Sequence, residues 1–363
     1  MVRAAVLTAV GAPLEVVDLE VLEPREGEVL VRYAATGVCH SDLHVITGAL
    51  PHPLPVVLGH EGAGVVEAVG PGVTRVRPGD HVLTSYIPSC GLCRFCTIGR
   101  PNLCVLRDRP RHLMLDGTTR FRWHGREVYH FLQVSAFSPY AVLLEQGVVP
   151  IRRDAPLDVV CLIACGVMAG MGAVLNRAHV AAGSTVAVYG CGGVGLNVIQ
   201  ACRLVGAGRI IAVDVVERKL ALAQEFGATH VIDARREDPV ARILALTDGW
   251  GADYAFEAVG SAQTIEQMVA SVRRGGMAVV IGVSPHGTRI AIDPQLLVQE
   301  RVLTGSSFGG ARQRVDLPML VDLFMEGRIK LRELISRRLG LDEINTAFEL
   351  LRRGEVARSV IVY

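Results

Sequence analysis

The first third of the chain alternates between apolar and polar positions. Glu28-Val29-Leu30-Val31-Arg32-Tyr33 and Gly64-Val65-Val66-Glu67-Ala68-Val69 are short runs of period two that end in Gly or Pro. That is the pattern of half-buried strands. Near Ala181 the texture changes. Val186-Ala187-Val188-Tyr189 reads as a fully buried strand, followed by a glycine-rich turn and a helical pattern from Val194 to Val205. Ile210-Ile211-Ala212-Val213 is the next strand, and Ala221 to Phe226 belongs to the next helix. Tyr254-Ala255-Phe256-Glu257 and Ala278-Val279-Val280-Ile281 continue the alternation. Strands interleaved with helices predict a parallel, doubly wound sheet. After about Phe308 the pattern returns to helix and short strand, ending on Val360-Ile361-Val362. The reading is therefore an α/β protein with a Rossmann domain (167–307) inserted between two parts of a β-rich catalytic domain (1–166 and 308–363).

Composition narrows the class. Of 363 residues, 50% are hydrophobic and 20% charged, with a net charge of +1, which suits a globular chain of about two domains. This balance gives no reason to expect nucleic acid or a charged membrane surface as partner. No apolar run approaches the roughly 18 residues of a membrane span. The start Met1-Val2-Arg3-Ala4 has no basic segment leading into an apolar stretch, so no signal peptide is expected.

The cysteines carry the first chemistry. Four of the nine fall between Cys90 and Cys104, as Cys90-x2-Cys93-x2-Cys96-x7-Cys104 within a lobe at 88–106. Clustered thiols in a chain of this kind argue for metal rather than disulfides. Four thiolates at this spacing close a tetrahedral structural zinc site; an iron–sulfur cluster or an empty site is also compatible with the spacing. Cys39, His60 and Cys165 stand apart from that lobe. Two cysteines and one histidine leave a fourth zinc position for water or substrate, the composition of a catalytic site.

Gly190-Cys191-Gly192-Gly193-Val194-Gly195 is G-x-G-x-x-G between a strand and a helix, the context a dinucleotide turn requires. The first Gly allows the tight turn, the second lets the backbone approach a pyrophosphate, and the third lets the helix pack on the sheet. Asp214 ends the second strand. A carboxylate there accepts from both ribose hydroxyls and repels a 2′-phosphate, which favours NAD over NADP. The plainer alternative is an N-cap for the helix beginning at Glu217.

Taken together, these motifs resemble the zinc alcohol dehydrogenases of the medium-chain dehydrogenase/reductase superfamily, with a GroES-like catalytic domain. The resemblance runs through Gly37 to Asp42, Gly59 to Gly64, the cysteine lobe, Cys165-Gly166, Gly190 to Gly195 and Arg358. Asp116-Gly117-Thr118-Thr119-Arg120-Phe121 and Phe137-Ser138-Pro139-Tyr140 further resemble the long-chain, typically dimeric branch that includes the class III, glutathione-dependent formaldehyde enzymes. The resemblance implies a cytoplasmic homodimer holding NAD and two zinc ions per chain. It places Cys39, His60 and Cys165 on the catalytic zinc, Glu61 behind it, and Asp42 on the ligand histidine. Glu61 and Asp42 are otherwise ordinary polar caps. Ser41 and His44 match a proton relay, and Lys219 a lysine near the adenosine ribose. His40 and Arg358 match pyrophosphate contacts. Gly193 and Val194 fall within the cofactor turn.

The implied activity is oxidation of a primary alcohol, medium-length or aromatic, to its aldehyde, or the reverse, by hydride transfer to NAD. Leu50, Tyr86, Phe131, Leu132 and Val283 fall at family pocket positions, or are plain core residues. The class III branch has acidic residues in the loop before its zinc-ligand histidine; here that loop is Ala49-Leu50-Pro51-His52-Pro53-Leu54-Pro55. The stretch between Cys104 and Asp116 is shorter than the family's, and Ala169 stands where the family has Thr near nicotinamide. Two alternatives follow: a dehydrogenase of formaldehyde–thiol adducts, or a zinc- and NAD-binding protein without turnover.

Overall fold

The computed structural model describes all 363 residues as two compact units. The first comprises 1–165, 312–327 and 331–363; the second comprises 166–311 and 328–330.

The first unit is built on antiparallel strands. Val2–Leu7, Glu15–Val21, Phe121–Trp123, Arg126–His130 and Val56–Val57 close a small barrel. Beside it, a seven-stranded sheet runs Val148–Pro150, His81–Thr84, Glu61–Val69, Glu28–Gly37, Arg358–Val362 and Ile335–Leu339, with Tyr140–Leu144 also paired to Glu28–Gly37. Alternating inward residues such as Val29, Val31 and Tyr33 share one core with Val66, Phe121, Phe137 and Ile361. The last strand, Arg358–Val362, thus returns to pair with Glu28–Gly37 across the whole sequence.

Two strands begin before the alternation that announces them. Glu61–Val69 starts three residues ahead of Gly64, and Val272–Val280 starts six ahead of Ala278. In both, glycines interrupt the side-chain pattern (Gly62; Gly275 and Gly276): Gly62 still pairs with Thr36, whereas the second strand's pairing with Ala252–Glu257 jumps from Val272 to Met277 across its two glycines. Glu28–Gly37 likewise runs four residues beyond Tyr33, along the partner that carries Glu61.

The second unit is a six-stranded, all-parallel sheet in the order His230–Asp233, Arg209–Asp214, Thr185–Tyr189, Ala252–Glu257, Val272–Val280 and Val302–Gly305. By sequence this is 3-2-1-4-5-6, the doubly wound arrangement. Thr185–Tyr189 lies at the point where the order reverses, and Val186 to Tyr189 are buried. Helix Gly193–Leu204 follows it directly. Gly190 has φ +92°, a left-handed conformation that side chains disfavour. A Cβ at Gly195 would lie 1.8 Å from the Gly190 carbonyl oxygen, so the helix can leave the turn this closely only with glycine there. No single helix is long and apolar enough to cross a membrane.

Gly195→Ala is expected to lower stability by about 1 to 3 kcal/mol, the cost of overpacking a close contact. Gly192→Ala should not, because a Cβ at Gly192 meets nothing within 4 Å. Chemical denaturation of both variants checks this; equal midpoints for the two would contradict it.

Candidate functional site

Cys39 is the N-cap of helix His40–Ile46, and one buried carboxylate in the first turn organises its surroundings. Asp42 Oδ2 accepts the Cys39 backbone N–H at 3.3 Å. Its Oδ1 accepts the Gly59 N–H at 2.9 Å and lies 3.2 Å from His60 Nδ1. Asp42 is thus a cap and also the group that turns the histidine. With Nδ1 engaged, Nε2 is the nitrogen left to bind a metal.

Glu61 opens the strand Glu61–Val69 beside His60 and is fully buried. Arg358 Nη1 donates to its Oε1 at 2.9 Å and more weakly to the Val38 carbonyl at 3.4 Å. The other oxygen, Oε2, has no partner. A Cβ at residue 37 would stand 2.0 Å from Oε2, which explains why glycine faces it. Arg358, expected at a pyrophosphate, is buried with its guanidinium on this carboxylate. Burial pushes Glu61 up to about 7, against the pull of Arg358. Cys165 completes the group. The ligand atoms of Cys39, His60, Glu61 and Cys165 lie within 4.8 Å of one another. The facing Cys165 thiol and the positive charges of His60 and Arg358 hold the Cys39 thiol well below its usual range. Two thiols and an imidazole nitrogen in one buried spot, beside a carboxylate, are a donor set that fits a divalent zinc with one position open.

Ser41 and His44 lie one helical turn apart on the same short helix, both half-buried. Ser41 Oγ is 3.9 Å from Cys39 Sγ. His40 opens the helix and is exposed. Two rings pack edge-on to the His60 imidazole with centroids at 5.6 Å, Tyr86 and Phe131. Leu132 is half-buried at φ +55° and Leu50 is 43% exposed. Phe131 belongs to the hydrophobic core as well. Val283 belongs to the second unit and is 65% exposed.

Sequence reasoning missed three neighbours of these rings. His52 packs edge-on to Phe131 at 5.6 Å, His112 lies 6.0 Å from His52, and Arg111 Nη1 donates to the Tyr86 carbonyl at 3.0 Å. His52 sits in the loop already singled out for lacking carboxylates; nothing local marks the other two.

The cysteine lobe is a separate, closed group. Cys90 and Cys96 sulfurs are 3.9 Å apart, as are those of Cys93 and Cys104, and all four lie within 4.8 Å of one another. Four sulfurs around one zinc at about 2.3 Å fall about 3.8 Å apart. A multi-iron cluster would hold them wider, so this spacing selects a single ion. Backbone N–H groups of Leu92 and Cys93 point at Cys90 Sγ, and that of Cys90 at Cys104 Sγ. Hydrogen bonds from the Val105 and Cys96 N–H groups bring Cys93 down to about 6, while burial takes Cys96 up to about 12. Four crowded thiols cannot all ionise without a cation between them.

In the second unit, Asp214 Oδ2 accepts the Cys191 N–H at 2.8 Å, and Oδ1 accepts those of Val215 and Val216 at 2.8 and 2.9 Å. The N-cap of helix Glu217–Phe226 is Val216, so Asp214 is not that cap; it ties the end of its strand to the glycine turn. Lys219 lies in the first turn of this helix and Ala169 on helix Gly166–Gly172, both half-buried. The open space at Gly192, above a helix N-terminus with unpaired N–H groups, fits a pyrophosphate.

Residues 25–153 match the alcohol dehydrogenase GroES-like domain, and residues 193–326 match the zinc-binding dehydrogenase family. The S-(hydroxymethyl)glutathione dehydrogenase of Paracoccus denitrificans is 45% identical over 372 residues, covering 99% of both chains. An alcohol dehydrogenase zinc-binding domain protein from Burkholderia ambifaria superposes with a TM-score of 0.96 at 37% identity, covering 99% of this chain and 98% of that one. Benzyl alcohol dehydrogenase from Acinetobacter calcoaceticus gives 0.94 at 36% identity, covering 99% of each. Joined to an open set of two cysteines and a histidine, a closed set of four cysteines and a doubly wound dinucleotide sheet, these matches show that the chain belongs to the zinc-dependent, NAD-using alcohol dehydrogenases of the medium-chain superfamily.

Proposed function

We propose that the chain oxidises an apolar primary alcohol, medium-length or aromatic, to its aldehyde, or runs the reverse reaction. The observation that carries this reading is the grouping of Cys39, His60 and Cys165 beside a bare Glu61 oxygen. Three protein ligands leave one position for substrate, and Glu61 tempers the charge behind it. Bound zinc supplies a Lewis acid that acidifies the alcohol, and NAD accepts the hydride. Ser41 takes the hydroxyl proton, and His44, one turn along the helix, carries it towards solvent. Tyr86, Phe131, Leu50 and Leu132 supply the apolar wall, and Tyr86 and Phe131 hold the His60 ring between them. Asp42 keeps His60 in the ligating tautomer.

On the cofactor side, Gly190, Gly192, Gly193, Val194 and Gly195 form the pyrophosphate turn, Asp214 selects the unphosphorylated ribose, and Lys219 stands near it. His40 contacts the pyrophosphate; Arg358 serves Glu61 first. Cys90, Cys93, Cys96 and Cys104 hold a structural zinc.

A second reading is oxidation of a formaldehyde–thiol adduct. It is supported by the 45% identity to S-(hydroxymethyl)glutathione dehydrogenases. The carboxylate-free loop Ala49 to Pro55 favours the first reading. The edge strand Val302–Gly305, with Val298 beside it 73% exposed, supports a homodimer. Nine free cysteines, six of them in the two metal sets, support a reducing, cytoplasmic setting.

If the open set is catalytic and the closed set structural, Cys39→Ala abolishes turnover and keeps the wild-type melting temperature, whereas Cys93→Ala mainly lowers stability. Zinc content and thermal melts check both; two retained zinc ions in Cys39→Ala would contradict the assignment. An apolar wall predicts that kcat/KM rises from ethanol to hexanol, by up to about 0.8 kcal/mol per buried methylene. A flat or falling series, with activity on formaldehyde appearing only when glutathione is added, would transfer the conclusion to the second reading. Asp214→Gly should shift the NAD/NADP ratio of kcat/KM towards NADP; an unmoved ratio would remove Asp214 as selector.

A further inference from the structure

The loop 131–136 carries Phe131, whose ring lies edge-on to the His60 imidazole, and Leu132. Its backbone is costly. Leu132, Gln133 and Ser135 have φ of +55°, +58° and +51°, the left-handed region that residues with a side chain rarely adopt. Gln133 adds a second cost, because its Oε1 is buried without a partner. Such a run persists only where the surrounding structure over-determines it.

The first half of the loop is held nearby. Ser135 Oγ accepts the Phe131 N–H at 3.0 Å. The Gln133 N–H donates to the Arg111 carbonyl at 3.0 Å, and its Nε2 to the Leu113 carbonyl at 2.7 Å. The second half is held by two phenols from far away in sequence. The Tyr33 hydroxyl donates to the Val134 carbonyl at 2.8 Å, and the Tyr363 hydroxyl donates to the Ala136 carbonyl at 2.5 Å. Tyr33 lies on Glu28–Gly37, and Tyr363 directly follows Arg358–Val362. These strands pair, with Val362 opposite Ala35, so both phenols come from neighbouring positions of one sheet. The sheet does not need the second hydroxyl. The Tyr363 N–H already donates to the Ala34 carbonyl at 3.1 Å.

The peptide that Tyr363 grips is also the one that docks on the approach to His60. Its carbonyl end, Ala136, accepts the phenol, and its N–H end, Phe137, donates to the Leu58 carbonyl at 2.9 Å. The Ala136 N–H donates to the Gly59 carbonyl at 2.9 Å. The fit is close: a Cβ at Gly59 would stand 2.6 Å from the Phe137 nitrogen. The two hydroxyls thus fix where the strained loop stands relative to the histidine.

We propose that Tyr363 and Tyr33 are positioning residues that set substrate selectivity: their hydroxyls, on the Ala136 and Val134 carbonyls, hold the strained loop that presents Phe131 and Leu132 to the alcohol. The inference rests on the apolar-wall reading given above. An alcohol long enough to lie along the wall senses the two phenols, and ethanol does not.

The test compares full-length, zinc-loaded wild type, Tyr363→Phe and Tyr33→Phe, each variant keeping its ring and losing one hydroxyl. The hexanol-to-ethanol ratio of kcat/KM with NAD cancels the active fraction of enzyme, so a loss of stability alone leaves it unmoved. It should fall by about threefold to tenfold in each variant. Zinc content should stay that of the wild type, and the backbone of 131–137 should exchange hydrogen faster, read by mass spectrometry. An unchanged ratio in either variant would overturn the proposal, as would a lowered ratio without faster exchange or with zinc lost. If one variant does not fold, the other decides by the same readings. A wild-type ratio no greater than one would instead overturn the apolar-wall reading, and the inference with it.

Discussion

One buried carboxylate organises the reactive end of this molecule. Asp42 gathers three groups from two distant stretches of chain: the Cys39 N–H, the Gly59 N–H and the His60 ring. Cys39 sits at a helix start and His60 at a strand entry, so neither element alone could place its side chain toward the other. The carboxylate satisfies a helix N-terminus, where negative charge is favoured, and in doing so fixes the imidazole that must ligate. Everything further depends on that orientation: the separation of Cys39 from Cys165, the place of the Glu61 oxygen, and the edge-on packing of Tyr86 and Phe131.

The two cysteine-bearing groups show how the same ligand chemistry is put to different ends. In the lobe, four sulfurs face one another, with backbone N–H groups directed at them. No position is left open, and the lobe has little apolar core of its own, so an ion contributes its folding energy directly. At Cys39, His60 and Cys165 the donors are buried within a sheet that is stable through its own packing. There the fold holds the donors in place and leaves a coordination position for chemistry. The dinucleotide unit applies a similar rule to space. Gly195 is required by the fold, because a side chain there would strike the Gly190 carbonyl, whereas Gly192 faces a volume that the protein itself does not use.

Much of this was legible in the sequence where the signal is local. The period-two runs, the G-x-G-x-x-G turn and the cysteine spacing each fit within about a dozen residues, and their geometry follows from the chain's own short reach. Contacts that join distant segments were not legible. Arg120, fully buried, is forked on Glu28 through Nε at 2.7 Å and Nη2 at 2.5 Å, across 92 positions, and no local pattern marks that pair. The His52 and His112 rings, 6.0 Å apart, come together across 60 positions for the same reason. Arg358 reads as a lone arginine near the end of the chain, and only the return of its strand to Glu28–Gly37 reveals that it neutralises Glu61. Helix Gly166–Gly172 widens into a π-helix at Ala173–Ala178, and Gly172 at the junction packs closely on a distant segment. A Cβ at Gly172 would fall 2.3 Å from the Gly309 carbonyl, and periodicity does not encode that constraint.

The most direct test of this account is zinc content in Asp42→Ala, measured by elemental analysis after dialysis against a chelator that leaves the wild type fully loaded. If Asp42 assembles the open site, the variant keeps one zinc per chain, held by the cysteine lobe, and loses the other, because removing such an orienting partner typically costs about 10- to 100-fold in metal affinity. Two zinc ions retained per chain, with wild-type turnover, would contradict it.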